Sequence, residues 1–341
     1  VEYINKIKNN YDICIVMGTG ERIAYLADLN YISYYVGRDI DAPRFKKNSR
    51  EIWFKTPLHK LNFLERKFYH NTFKNAIGHV AGVWVYPFLE KYTKNGIKMD
   101  MYAMDDGLFK NTTHELDIQK TKFTFFSPQR MGNGKGTDLL WKALKICKTD
   151  FDILQVNWFD EATDEELKIR EQLLNELPSQ IKLIPMIKRK KMPEYYSFAD
   201  AVIGNMIVGT WELVDLEGVM CGKPVLSYSD PNHKLLVKGN YIQSSFLPDS
   251  NKPEDIAKII DKVVSSKEFR DELFENERKF VSNSTDKEWI SNWWDELFET
   301  FSQKYGKIHK NSSSISIKIR MGLFLIGNRL YWKKIKKLIK I

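Results

Sequence analysis

Read along the chain, apolar residues recur in short runs separated by longer stretches of helical spacing. Ile13 to Met17 forms a first apolar run, Gly18-Thr19-Gly20-Glu21 a turn, and a helical pattern follows through Leu29. Tyr31 to Val36 reads as a second strand, and helix is expected at Leu61 to Phe73 and at Pro87 to Asn95, with a strand near Met99 to Ala103. After Lys120 the alternation becomes regular: strands Phe123 to Ser127, Ile153 to Val156, Ile181 to Ile184 and Ala201 to Gly204 are interleaved with helices from Thr137, over Asp164 to Leu177 and over Met192 to Phe198. Leu213, Val214, Leu216, Val219 and Met220 suit a helix with one buried face, ended by Cys221-Gly222-Lys223-Pro224 before a short strand at Val225 to Ser227. Helices then run from Pro253 to Ser265, Lys267 to Ser282 and Asp286 to Tyr305. Repeated strand and helix predict an α/β protein with parallel sheets.

Length adds domain number. At 341 residues the chain exceeds one usual domain, and two are expected, 1–118 and 119–300, with 301–341 as the end of a crossing helix and a tail. The first run begins so close to Val1 that an earlier part of the first domain is expected to be missing. The hydrophobic fraction of 43% supports a folded core and argues against general disorder. Cys14, Cys147 and Cys221 have neither disulfide nor metal-like spacing, which fits reduced thiols in a cytoplasm.

Charge changes the picture at one end. Of the net +9, ten Lys or Arg fall from Lys307 onward with no Asp or Glu, leaving 43 basic against 44 acidic residues before it. Basic character confined to a tail argues against a nucleic-acid-binding surface. On a helix, Tyr331, Trp332, Ile335, Leu338 and Ile339 share one face and lysines the other, so 316–341 is expected either to lie on an anionic membrane or to dock on the protein itself. No apolar run is long enough to span a bilayer.

Candidate chemistry concentrates after the strand at Phe123 to Ser127. Arg130, Gly132, Gly134, Lys135 and Gly136 place two cations and three glycines at the mouth of a helix, a combination suited to a diphosphate, although a basic surface turn has the same composition. Glu217 is either a solvated helix residue or a carboxylate for a sugar hydroxyl. Gly18 and Gly20 make either a tight turn or a substrate-facing loop, and Arg38 and Asp39 either a salt-bridged loop or an acceptor contact. The basic, aromatic stretch 43–75 reads first as packing on the domain, with stacking on nucleobases or entry into a membrane interface as alternatives, Asp105-Asp106-Gly107 as a turn in preference to a metal site, and His59, His70 and His79 as structural because their spacing is not that of metal ligands.

Arg130 followed after four residues by Lys135-Gly136, Met192-Pro193 with Tyr195-Tyr196 and Ala199-Asp200, and Leu216-Glu217 with Gly222-Lys223-Pro224-Val225 together resemble the donor-binding half of the two-domain GT-B glycosyltransferases, most of all the retaining family 4 group. The resemblance covers residues 121 to 300 well and 1 to 118 loosely. It implies two Rossmann-like domains around a nucleotide-sugar cleft, Arg130 and Lys135 as catalytic residues on the diphosphate, and Glu217 on the ribose. Gly132, Gly134, Gly136, Glu212 and Leu216 join the donor side, and Gly18, Gly20, Arg38 and Asp39 the acceptor side. No metal or other cofactor is implied. Family members carry a further glutamate eight positions before the one matching Glu217; here that position is Gly209, with Glu212 nearby. The implied activity is retaining transfer (EC 2.4 class) from a nucleotide diphosphate sugar to a lipid-linked or surface-glycan acceptor, by a cytoplasmic protein peripheral to the membrane. An epimerase or a non-catalytic binding protein of the same fold are the rivals.

Overall fold

In a computed structural model of the chain, the described residues are 11–18, 20–36, 63–82, 85–113, 116–159 and 164–305. They divide into two units, one within Val1–Asp100 and Ser291–Ile341, the other Met101–Ile290. Each is an α/β lobe. Arg38, Asp39, the stretch 43–62 and the basic tail 316–341 lie outside the described residues.

The first lobe holds a parallel sheet in the order β1-β2-β3-β4, with β1 at Cys14–Val16, β2 at Tyr31–Tyr35, β3 at Gly78–Ala81 and β4 at Gly96–Lys98. Helix α1 (Gly20–Ala27) links β1 to β2, α2 (Phe63–Asn75) precedes β3, and α3 (Tyr86–Leu89) precedes β4. Strand β3 was not predicted: Gly78-His79-Val80-Ala81 is buried at every position and lacks the alternation that marks a half-exposed strand. Helix α3 is a single turn where a longer one was expected, and β4 comes before Met99 to Ala103 rather than within it. Gly96 brings β4 against Leu89 and Tyr86, whose side-chain atoms lie 3.2–3.3 Å from where its Cβ would stand, so that a side chain there would crowd them.

The second lobe is built on a five-stranded parallel sheet in the order β7-β6-β5-β8-β9. The strands are β5 (Phe123–Ser127), β6 (Phe151–Val156), β7 (Ile181–Ile184), β8 (Ala201–Ile203) and β9 (Val225–Leu226). Between them run α4 (Thr137–Leu144), α5 (Asp164–Asn175), α6 (Met192–Phe198) and α7 (Leu213–Met220), and α8 (Pro253–Ser265) and α9 (Lys267–Ser284) follow. Phe125, Phe151 and Ile153 of the sheet pack with Leu140, Trp141 and Leu144 of α4 and Ile256, Ile260 and Val263 of α8 in one apolar core. An antiparallel hairpin, β10 (Lys234–Val237) and β11 (Asn240–Gln243), was not anticipated. Its turn residues Lys238 and Gly239 both have positive φ, as a two-residue hairpin turn requires. Helix α10 (Lys287–Tyr305) starts in this lobe, and its residues from Ser291 belong to the first.

Strand order locates a crevice. The chain enters the sheet at central β5, moves outward through β6 to β7, then returns to the other side of β5 as β8 and continues to β9. At such a reversal the loops beyond the carboxyl ends of the two central strands part to opposite faces of the sheet and leave room for a ligand. Here these are the loops after β5 and after β8, residues 128–136 and 204–212. Among the described strands of the first lobe the order has no such reversal.

Candidate functional site

The loop after β5 is shaped by its glycines. Gly132 and Gly136 have φ of +152° and +70°, and Asn133–Lys135 between them is a single 3₁₀ turn that contains Gly134. At Gly136 a Cβ would stand 2.9 Å from the backbone carbon of Met206, so a side chain there would push this loop from the one after β8. The two loops are joined: Met206 N donates to the Lys135 carbonyl at 3.0 Å. Thr137, at the start of α4, closes the turn by accepting from Gly132 N through Oγ1 at 2.9 Å. Lys135 is thereby fixed at the mouth of the crevice, and the half-buried Arg130 lies with its guanidinium carbon 5.9 Å from the centre of the Trp158 ring.

Across from Lys135, the N-terminus of α7 brings up Glu212. Its carboxylate is ion-paired with Lys135 Nζ and accepts from Gln129 Nε2 at 2.8 Å. Glu212 also caps α7: its side chain accepts from Asp215 N, while Glu212 N donates to Asp215 Oδ2 at 2.7 Å. Asp215 is wholly buried, accepts from Ser227 Oγ at 3.0 Å, and has its Oδ1 with no hydrogen-bond partner. Burial, followed by the Glu212 charge, pushes its carboxyl up to about 8. Asp215 is thereby held towards its protonated form.

Glu217 is one turn further along α7 and is not a solvated residue. It is 2% exposed, accepts from Tyr196 Oη at 3.0 Å and is ion-paired with Arg189 at 2.9 Å. Burial raises its pKa, and Arg189 and the Tyr196 hydroxyl oppose that rise. Arg189 is itself 61% exposed and lies over the Phe109 ring at 4.8 Å. Leu216, on the adjacent face, is fully buried core.

Gly209 explains the position at which a glutamate was looked for. Its φ is +78°, and a Cβ would lie 3.0 Å from Asp230 Cβ and 3.3 Å from Tyr228 Cε1. Asp230 N donates to its carbonyl at 2.9 Å, so the loops after β8 and β9 are tied together there. A side chain at 209 is excluded by this backbone.

In the first lobe, Gly18 has φ +51° and Gly20 begins α1. The next residue, Glu21, is 1% exposed and accepts from Tyr35 Oη at 2.7 Å, with Tyr35 Oη 3.1 Å from His79 Nδ1. His79 is buried and stacked on Phe73. The Asp105-Asp106-Gly107 segment is a turn: Asp105 Oδ1 accepts from Leu108 N at 3.0 Å, and Asp106 pairs with Lys287. All three cysteines are free, and among the described residues no group of three or more His, Cys, Asp or Glu is placed to hold a metal ion.

Gln129, Asp215, Arg189 and Tyr196 complete this site; in the sequence Tyr196 falls within the motif of the resemblance and Arg189 within the basic run 188–191, which reads as either the edge of a nucleotide pocket or a solvated loop. For Asp215 a signal was there: Glu212-Leu213-Val214-Asp215 ahead of an apolar run is a capping-box pattern with acidic residues at both ends. Gln129 gave none, since the contact that defines it is 83 residues distant.

Residues 109–280 match the family model described as glycosyl transferases group 1. This corrects the expectation of membership in the family 4 group: the model that matches is that of group 1. Compared by sequence with curated proteins, the chain matches none. By structure it is similar to HepE from Anabaena in complex with UDP-glucose, at 17% identity and TM-score 0.62 over 87% of this chain and 82% of that one. It is also similar to sucrose-phosphate synthase from Thermosynechococcus elongatus, at 14% identity and TM-score 0.62 over 89% and 78%. A glycosyltransferase from Rickettsia africae follows, at 16% identity and TM-score 0.52 over 88% and 98%. These likenesses establish the fold, two Rossmann-like lobes of the GT-B kind.

Proposed function

The chain belongs to the glycosyl transferases group 1, and we propose that it transfers a sugar from a nucleotide diphosphate sugar to a lipid-linked or surface-glycan acceptor. The observation that carries this reading is the glycine loop with Arg130 and Lys135 at the carboxyl edge of β5, beside the reversal in strand order. A departing nucleoside diphosphate gains negative charge as the glycosidic bond breaks, and two preorganised cations lower the barrier by matching that charge where it develops. Arg130 supplies a planar fork for phosphate oxygens and Lys135 a compact charge. Gly132, Gly134 and Gly136 allow the backbone to approach the phosphates, and the start of α4 adds its dipole.

On the donor side Glu212 and Leu216 flank the site at the start of α7, and Glu217 meets the ribose. A hydroxyl reaches Glu217 if the exposed Arg189 guanidinium shares or yields the oxygen it now holds. On the acceptor side Gly18, Gly20, Arg38 and Asp39 are assigned to the acceptor, and transfer is assigned as retaining. HepE from Anabaena was crystallised with UDP-glucose, which makes uridine nucleotides the first donors to try. The tail 316–341 is assigned to an anionic membrane surface, at about 1 kcal/mol per lysine near such a surface. Among the described residues no helix is long and apolar enough to cross a membrane.

The test is turnover of UDP- and GDP-sugars with short-chain lipid-linked acceptors, reading released nucleoside diphosphate and the anomer of the product. Sugar transfer by the wild type and its loss in the Arg130→Ala, Lys135→Ala double variant are expected. Release of the protein from anionic vesicles on deletion of 316–341 tests the membrane assignment, and unchanged vesicle binding would count against it.

A further inference from the structure

We propose that Glu212 is the resident counter-charge of the diphosphate site: its carboxylate holds Lys135 in the empty protein and competes with phosphate for it, which weakens the grip on the product nucleoside diphosphate. The proposal rests on the glycine loop being the diphosphate site. Glu212 is a positioning residue, acting on the ligand through Lys135.

The carboxylate is locked in place from three sides, by Lys135 Nζ, by Gln129 Nε2 and by the backbone N–H of Asp215. Its own N–H is held in turn by Asp215 Oδ2, and Asp215 is anchored by Ser227. A charge fixed in this way cannot swing aside freely when an anion arrives. The Lys135 and Glu212 side chains are 19% and 24% exposed, so both lie within reach of a ligand in the crevice and are only partly screened. Asp215, wholly buried and held towards its neutral form, adds little further negative charge beside Glu212. Replacing Glu212 by Gln therefore removes the one carboxylate charge that faces Lys135 in this cluster, while its amide oxygen can still accept from Asp215 N.

The consequence differs for donor and product. A free nucleoside diphosphate has one more ionisable phosphate oxygen than its sugar ester, so a neighbouring carboxylate repels it more strongly. Glu212 thus favours exchange of product for donor after transfer.

The experiment is calorimetric titration of wild type, Glu212→Gln and Glu212→Ser with UDP and GDP at two salt concentrations, with stopped-flow release of the same nucleotides. Serine keeps an oxygen at the helix cap and guards against loss of fold in the first variant. Both variants are expected to hold nucleoside diphosphate about five- to twentyfold more tightly, from removal of one unit charge near 5 Å at high effective dielectric, with slower release and a gain that shrinks with salt. Equal or weaker binding by both variants, with a wild type that binds, overturns the counter-charge role and leaves the site reading standing. A wild type that binds neither nucleotide overturns both.

Discussion

The two lobes begin in the same way and end with opposite chemistry. Each follows a strand with a glycine turn and a helix: β1 leads through Gly18 and Gly20 into α1, and β5 through Gly132, Gly134 and Gly136 into α4. In the first lobe the first turn of the helix carries Glu21, buried and bonded to Tyr35, so a carboxylate of the chain already stands at the positive end of the dipole. In the second the loop carries Arg130 and Lys135, and the carboxylate that meets Lys135 comes from another helix, through the partly exposed Glu212. Strand order separates them further, since only the second sheet reverses direction at its centre among the described strands. A glycine turn before a helix is therefore not itself an anion site; charge and the neighbouring loop decide.

The comparison breaks most sharply at the cations. In the Arg130→Ala, Lys135→Ala variant turnover should fall by about 10³-fold or more with an unchanged melting profile, because preorganised charge acts on the transition state. Turnover within tenfold of wild type would remove the second lobe's distinction.

Next comes pH. Asp215 has a folded pKa of about 8 against an ordinary 3.8, so its folded form retains a proton that the unfolded chain loses. Its contribution to stability is fully present below about pH 4 and is lost as pH rises through about 8. Urea midpoints of the wild type should fall between pH 5 and 8 by the equivalent of about 2–4 kcal/mol. Asp215→Asn should flatten that slope in part, the remainder belonging to the buried Glu277, whose pKa is also raised by burial. An unchanged slope would mean that Asp215 is ionised in the folded protein.

Two glycine substitutions sharpen the contrast in packing. Gly136→Ala drives a methyl into the backbone of Met206 from a left-handed conformation and should cost about 2–3 kcal/mol. Gly18→Ala meets nothing within 4 Å, leaving only the backbone term of about 1 kcal/mol. Equal costs in denaturant titrations would show that the second loop yields. Of similar size is Glu21→Gln, which should leave nucleotide binding unchanged and lower stability by about 1 kcal/mol through a weaker bond to Tyr35.

Much of this was legible in the sequence. The regular alternation after Lys120 announced the second sheet, and the Gly132 to Gly136 turn with its helix from Thr137 was read at the right place. What stayed hidden depends on distant partners. Glu217 carries no sequence mark of being buried, because its cover, Tyr196 and Arg189, lies 21 and 28 residues away. Strand β3 lacks alternation since both its faces are covered, and the exclusion of a side chain at Gly209 depends on Asp230 and Tyr228 in another loop. Strand order, which locates the crevice, is a property of pairing and not of any one segment.

The loop after β5 is the proposed holder of a nucleoside diphosphate. This role is tested most directly by thermal unfolding of the full chain with and without UDP, GDP and their sugars, beside the Arg130→Ala, Lys135→Ala variant. At least one nucleotide is expected to raise the wild-type melting temperature, equivalent to about 2.7 kcal/mol at a hundredfold excess over Kd, and the variant is expected to show no rise. A rise of equal size in the variant, or none in the wild type, would contradict it.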